Sequence, residues 1–249
     1  VLAFLEGVAT FLGAAATADV KALATRLESS CRGQLLAATD RCGRNAAHLA
    51  AAAPAVGSEE ALRLLADHCV ALEARDEDGW TPLHHASERG CLGAVKALLD
   101  CGCRASTTDK RGQTALHAAA CREDPGFVRL LVGSHPQLAT VADAQGKTPL
   151  HYAVLNRHPG VAAEAARLLL EFCAGPNVVD ANGLAPLHYV SEAGDLSMAR
   201  LLLQHFADPT LQDSLCGRSP LDLAPDNGRR QALRRAAAAI AAVAVAPQQ

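Results

Sequence analysis

At 249 residues the chain has room for one or two ordinary domains or for a single elongated array, and half of its residues are hydrophobic while aromatics make up only 3%, so Ala and Leu must build the core. A net charge of −3 excludes a global attraction to nucleic acid or to an anionic membrane. Nine cysteines, an odd number with no C-x-x-C spacing and no N-x-[ST] sequon, point to a reduced intracellular compartment, cytoplasmic or nuclear, rather than to a disulfide framework.

Residues 1–18, VLAFLEGVATFLGAAATA, are apolar enough for a leader, but they have no basic n-region and carry Glu6 in the middle, which predicts a packed N-terminal helix instead. LGAAATADVKALATRL (12–27) reads as a weak leading repeat or cap. From Asp40 onward the chain repeats itself. A degraded copy, DRCGRNAAHLAA, is followed by DEDGWTPLHHAS (76–87), DKRGQTALHAAA (109–120), DAQGKTPLHYAV (143–154), DANGLAPLHYVS (180–191) and a terminal CGRSPLDLAP (216–225). The histidines fall at 48, 84, 117, 151 and 188 with Asp222 in the next slot, so successive gaps are 36, 33, 34, 37 and 34. Each copy is trailed by a second apolar run: ALRLLADH, AVKALLDCG, FVRLLVGS, AARLLLEF and MARLLLQH.

One repeat can be read locally. Asp-x-x-Gly is turn chemistry, with Gly taking a backbone conformation that other residues resist. Thr then caps a short helix, and Pro82, Pro149, Pro186 and Pro220 stand at its first position, where no N–H is needed. A turn and a longer helix follow, and one such pair buries its apolar faces only by stacking on the next. Two insertions, AAAPAVGSEE in the first repeat and NRHPGVAAE in the fourth, are expected as looser turns between the helices of a repeat. Near the end, AAAAIAAVAVA (236–246) is too short and too weakly apolar to span a bilayer, so no membrane partner is expected. NGRRQALRRAAAA, with Arg229, Arg230, Arg234 and Arg235, lacks aromatics for stacking and reads as a polar capping helix rather than a nucleic-acid site.

The chemistry-bearing motifs are scarce. The chain has no G-x-G-x-x-G, G-x-x-x-x-G-K-[ST], H-E-x-x-H or G-x-S-x-G. His84 and His85 stand side by side, but adjacent helical residues do not share a face, and zinc needs three or four convergent ligands. A histidine renewed in repeat after repeat also argues against one catalytic centre. Cys101 and Cys103 read as small apolar fillers at a helix end. No catalytic residue, cofactor or metal is expected, and the chain is not expected to be an enzyme.

The T-P-L-H-x-A stretches resemble the ankyrin repeat family, closely in the second to fifth repeats and partially in the first and sixth. The resemblance implies an all-α ankyrin-repeat solenoid of six to seven helix-turn-helix units with β-turn fingers. It forms one domain: a capping repeat over 1–36, repeats over 37–72, 73–105, 106–139, 140–176 and 177–209, and a C-terminal cap and tail over 210–249. It implies a structural role for His48, His84, His117, His151 and His188, each bonding near its turn; Thr81, Thr114 and Thr148 stand three residues before three of them, and Asn45 and Ala185 before His48 and His188. It implies a non-catalytic protein-interaction scaffold, expected to be monomeric as a fragment, that binds a protein or extended peptide on its concave face. The alternative is the regulatory or substrate-recruiting part of an enzyme, for example a ubiquitin ligase, whose catalytic part is elsewhere. The groove-facing positions are then Arg41, Arg44, Glu77, Asp78, Trp80, Glu88, Arg89, Lys110, Arg111, Gln113, Arg122, Gln145, Lys147, Asn156, Asn182, Leu184 and Glu192, with His85, Tyr152 and Tyr189 in the slot after the histidine. Trp80, the only tryptophan, marks the expected binding centre, with Glu77, Asp78 and Glu88 as an acidic patch and Lys110, Arg111 and Arg122 as a basic one a repeat away. Asn177 resembles the turn asparagine that an asparaginyl hydroxylase modifies in such repeats, the alternative being an ordinary turn asparagine.

Overall fold

A computed structural model describes residues 2–28, 32–53, 57–156 and 158–245. Among the described residues the chain is helical, with one isolated β-bridge, Thr39 to Asn45. It divides into an N-terminal block, Val1–Leu130, and a C-terminal block, Leu131–Gln249.

The N-terminal block holds α1 (Leu2–Ala16), α2 (Val20–Leu27), α3 (Arg32–Leu36), α4 (Ala46–Ala52), α5 (Ser58–Asp67), α6 (Pro82–Arg89), α7 (Leu92–Asp100) and α8 (Ala115–Ala120), and α9 (Gly126–Ser134) begins in it. First helices stack on first helices, α4 on α6 and α6 on α8, while α5 stacks on α7. The apolar N-terminal stretch joins this scheme: α1 packs on α4 and α2 on α5, with Phe11, Leu23 and Leu27 buried, so it behaves as a leading helix pair.

The C-terminal block holds a 3-10 turn (Pro136–Thr140), then α10 (Pro149–Val154), α11 (Pro159–Glu171), α12 (Pro186–Ala193), α13 (Leu196–Gln204), α14 (Pro220–Leu223) and α15 (Asn227–Val245). The same stacking recurs, α10 on α12, α12 on α14, α11 on α13 and α13 on α15. The 3-10 turn, absent from the sequence reading, buries Leu138 and Ala139. The Arg-rich segment forms α15, and Arg230 Nε donates to the Leu221 carbonyl at 3.0 Å.

Each short helix starts as its residues dictate. Thr81 is extended, Pro82 opens the helix, and Gly90 closes it with φ +75°. Ala and Leu fill the interior: Ala47, Ala86, Ala119 and Ala153 and Leu62, Leu98, Leu116 and Leu150 are fully buried, which lets helices approach closely. Residues 54–56 lie outside the described residues. In the fourth repeat, where residue 157 lies outside the described residues, the added VAAE lengthens the second helix, α11, to 13 residues against 9 in α7 and α13. Ala and Glu are strong helix formers, and Pro159 supplies a start one turn earlier.

Successive turns are tied by backbone bonds: Glu77 N to Cys42 O at 3.0 Å and Lys110 N to Asp78 O at 3.2 Å in one block, Ala181 N to Gln145 O at 2.8 Å and Ser214 N to Asn182 O at 3.0 Å in the other. Glycine is required beside them. A Cβ on Gly183, where φ is +76°, would lie 2.5 Å from the Ser214 nitrogen. After the second helices the chain takes another left-handed residue, Gly102 in the second repeat but Cys69, Cys173 and Phe206 elsewhere, at φ 62°, 65° and 64°.

Candidate functional site: turn aspartates and the Trp80 cleft

The site is built on the turn aspartates. Asp76 Oδ1 accepts the backbone N–H of Asp78 at 3.0 Å and of Trp80 at 2.8 Å. Asp109, Asp143 and Asp180 accept the equivalent pair from Arg111 and Gln113, Gln145 and Lys147, and Asn182 and Leu184. The second carboxylate oxygen is taken by a different donor in each repeat. Arg44 Nε reaches Asp40 at 2.8 Å, His85 Nε2 reaches Asp76 at 2.8 Å, Trp80 Nε1 reaches Asp109 at 3.0 Å, and the Tyr152 and Tyr189 hydroxyls reach Asp143 at 2.7 Å and Asp180 at 2.5 Å. Burial pushes the Asp76 and Asp180 carboxyls up, but these side-chain and backbone donors outweigh it and hold both below the ordinary carboxylate value. Burial and the neighbouring Asp180 push the Tyr189 phenol well above its usual range.

The repeated histidines lie behind the turns. His84 Nδ1 accepts the Thr81 N–H at 3.2 Å and sits 2.9 Å from its hydroxyl, while Nε2 lies 3.0 Å from the Gln113 carbonyl of the next repeat. His151 Nε2 is 3.1 Å from Leu184 O, His48 Nε2 is 3.0 Å from Trp80 O, and His188 Nε2 is 3.1 Å from Leu211 O. His117 Nδ1 faces Thr114 in the same way at 3.0 Å. His188 lacks a hydroxyl partner at Ala185, yet its Nδ1 still accepts the Ala185 N–H at 3.0 Å. Each ring therefore spends one nitrogen on its own helix start, and His48, His84, His151 and His188 place the other on the following turn. Burial lowers the pKa values of His48, His84 and His151.

Beside the second turn is a polar cleft of about 490 Å³ lined by Arg44, Trp80, His85, Glu88, Arg89 and Arg122. Its aromatic wall is fixed. The Trp80 ring lies 5.1 Å from the His85 ring, edge to face, and 6.2 Å from His84, nearly parallel. The expected separation of charges is not what the fold makes: Glu88 and Arg122 enter one cleft with Trp80, and Arg122 lies over Gly90, 3.3 Å from where a Cβ would stand. Glu77, Asp78, Lys110 and Arg111 are exposed on the turn tips outside that lining. Gln113 is half-buried and gives its carbonyl to His84. In the C-terminal block the Lys147 ammonium sits 5.4 Å from the centre of the Tyr189 ring, and Asn182 is exposed at its turn. Asn177 is exposed but engaged, its amide donating to Phe206 O at 3.0 Å and its oxygen accepting from Asp208 N at 2.7 Å.

What sequence reasoning missed is the use of the second aspartate oxygen. The signal was present: His85, Tyr152 and Tyr189 each stand nine residues after their turn aspartate, at 76, 143 and 180. Cys103 is buried and its thiol is pushed up to about 12 by burial, far from the thiolate range that nucleophilic or redox chemistry requires. Among the described residues no group of three or more His, Cys, Asp or Glu could hold a metal, and no helix is long and apolar enough to cross a membrane.

Stacked helix pairs joined by aspartate-capped turns, with His48, His84, His151 and His188 bridging to the next turn, define a repeat protein of the all-α class. The ankyrin-repeat family model, "Ankyrin repeats (3 copies)", matches residues 12–109, 90–172 and 160–237, and the chain belongs to that family, an interaction fold that is generally non-catalytic. It is similar to the human B-cell lymphoma 3 protein, 36% identical over 184 residues, 66% of this chain and 37% of that protein. It is also similar to human neurogenic locus notch homolog protein 2, 32% identical over 139 residues, 56% of this chain and 6% of that one. The chain thus spans a small part of these relatives. Among solved structures, the ankyrin repeat domain of Bcl-3, described as a unique member of the IkappaB protein family, superposes with a TM-score of 0.77 at 25% identity, covering 90% of this chain and 97% of the other. The human ASB11 ankyrin repeat domain superposes at 0.74 and 22% identity, covering 91% and 96%, which is a likeness of fold.

Proposed function

We propose that the chain is a non-catalytic interaction domain that binds a protein or an extended peptide segment on the groove side of its turns and first helices, with the Trp80 cleft as its centre. The observation that carries this reading is the cleft itself. An indole anchored by Asp109 walls a solvent-open polar cavity at a position where stacking alone does not call for an aromatic ring. A rigid aromatic beside guanidinium groups is the composition of a binding hot spot. The other groove positions, Gln113, Lys147, Tyr152, Asn182 and Tyr189 among them, act as flanking contacts or as supports of the turns.

The test is affinity capture from cell extract with the whole chain, partners being identified by mass spectrometry, followed by measurement of the Trp80→Ala variant. A loss of about 30-fold, the about 2 kcal/mol of a hot spot, is expected with helicity retained. Binding within about threefold of the unaltered chain places the centre elsewhere.

A further inference from the structure

We propose that the Trp80 cleft reads an acidic, extended segment of its partner, seating a carboxylate against Arg89 and Arg122 while the segment's chain lies along the indole. This rests on the interaction reading above and adds the chemistry of the partner. The lining holds three guanidinium groups, Arg44, Arg89 and Arg122, against the single carboxylate of Glu88. Arg44 is already committed to Asp40, with 2.8 Å contacts from both its Nε and its terminal nitrogen, so it forms the wall nearest the first turn. Arg89 is exposed at the end of α6, and Arg122 lies across the glycine that ends the same helix. Both line the same cleft, where a forked carboxylate or two neighbouring acidic side chains can meet guanidinium groups.

The aromatic groups bordering this pair do not compete for the ligand's charge. The indole N–H is spent on Asp109, so the Trp80 ring presents carbon surface, and the His85 Nε2 is held by Asp76. The methylene stem of a glutamate fits that surface while its head meets the arginines. An apolar anchor suits the cleft badly, because it would strip water from the guanidinium groups and return no hydrogen bond. A nucleic acid fits less well than a peptide: the lining carries one tryptophan and no second large aromatic for successive bases, and the chain as a whole is at −3.

Trp80 is the only tryptophan, so its fluorescence reports this cleft alone. The probe is a capped peptide of alternating glutamate and glycine, titrated into the whole chain beside its glutamine counterpart, a phosphoserine counterpart and a single-stranded oligonucleotide of equal charge. The glutamate peptide is expected to change Trp80 emission saturably, at least about tenfold more tightly than the glutamine peptide, and to weaken several-fold as salt rises from about 0.05 to about 0.3 M. Arg89→Glu, at an exposed position, is expected to weaken it by at least about tenfold with an unchanged melting curve, and Arg122→Glu to do the same. Equal binding of the glutamate and glutamine peptides overturns the proposal, as does a tenfold preference for phosphoserine or for the oligonucleotide. Failure here is separable from failure of the interaction reading. If a captured partner is lost on Trp80→Ala while the glutamate peptide shows no preference, only the acidic assignment falls. If the partner survives Trp80→Ala, the binding centre itself is wrong.

Discussion

In the C-terminal block the fourth and fifth turns close on themselves: Tyr152 and Tyr189 reach back from their own first helices to Asp143 and Asp180. In the N-terminal block the second turn does the same through His85, but the third repeat carries Ala118 in that slot, and Asp109 instead takes the indole of Trp80 from the preceding turn. One block thus satisfies its buried carboxylates within repeats, and the other does so once between repeats. The difference separates two kinds of residue that look alike in sequence. The aromatic side chains on the groove side are tied down by the turns, as is Arg44 by Asp40, whereas Arg89 is exposed at the end of α6 beside the cleft. The aromatics give the surface its shape, and the guanidinium groups give it its charge.

Removing the shared acceptor should break the comparison most strongly. Asp109→Ala leaves two backbone N–H groups and the indole N–H without their partner, and Asp180→Ala does the equivalent to two N–H groups and a phenol. Each is expected to cost about 2–4 kcal/mol in chemical denaturation. Only Asp109→Ala should shift Trp80 emission to the red. An equal shift from Asp180→Ala would mean that the indole is not held by Asp109.

Acid should act on the two blocks alike. His48, His84 and His151 have pKa values below the ordinary 6.5 because burial disfavours the charged ring. The unfolded chain therefore takes up protons first, and stability that is complete above about 6.5 falls as the pH drops toward the folded values. The carboxylates at Asp76 and Asp180, held below 3.8, add a second loss only at lower pH, below about 4. A melting temperature that is flat between pH 7 and 5 would contradict the buried neutral rings.

The comparison can also be redrawn. Tyr189→Phe removes one donor from Asp180 and is expected to cost about 1–2 kcal/mol. Ala118→Tyr installs the C-terminal arrangement in the third repeat, at a half-buried position. It should hand Asp109 a phenol, release the indole and raise Trp80 accessibility to acrylamide, with stability within about 0.5 kcal/mol. The smallest effect concerns the left-handed residue after the second helices. Phe206, 74% exposed at φ 64°, buries little there, and Phe206→Gly is expected to stabilise the C-terminal block by about 0.5–1 kcal/mol.

Most of the fold was legible because the repeat writes its own punctuation. Thr-Pro starts at Thr81 and Thr148, the left-handed Gly90 and Gly194, and the Leu-rich second runs each specify one local geometry. The longer second helix of the fourth repeat was not read from the sequence, because the loop-like N-R-H-P-G start hides the helix formers of the V-A-A-E stretch after Gly160. The framework role of the histidines could be anticipated from their recurrence, but the carbonyl of the next turn that receives Nε2 could not, since it depends on the stacking distance. The cleft was half legible. Trp80 stood out by being single, yet Arg122 was assigned to a separate patch, because its position over Gly90 follows from how one repeat turns over the one before.

Ionic quenching of Trp80 fluorescence tests the charge beside the indole with no partner needed. At low salt, iodide should quench Trp80 more effectively than caesium, the gap should close as salt screens the arginines, and Arg89→Glu should reverse the order. Equal quenching by the two ions at low salt, or stronger quenching by caesium in the unaltered chain, would contradict a cationic recognition cleft.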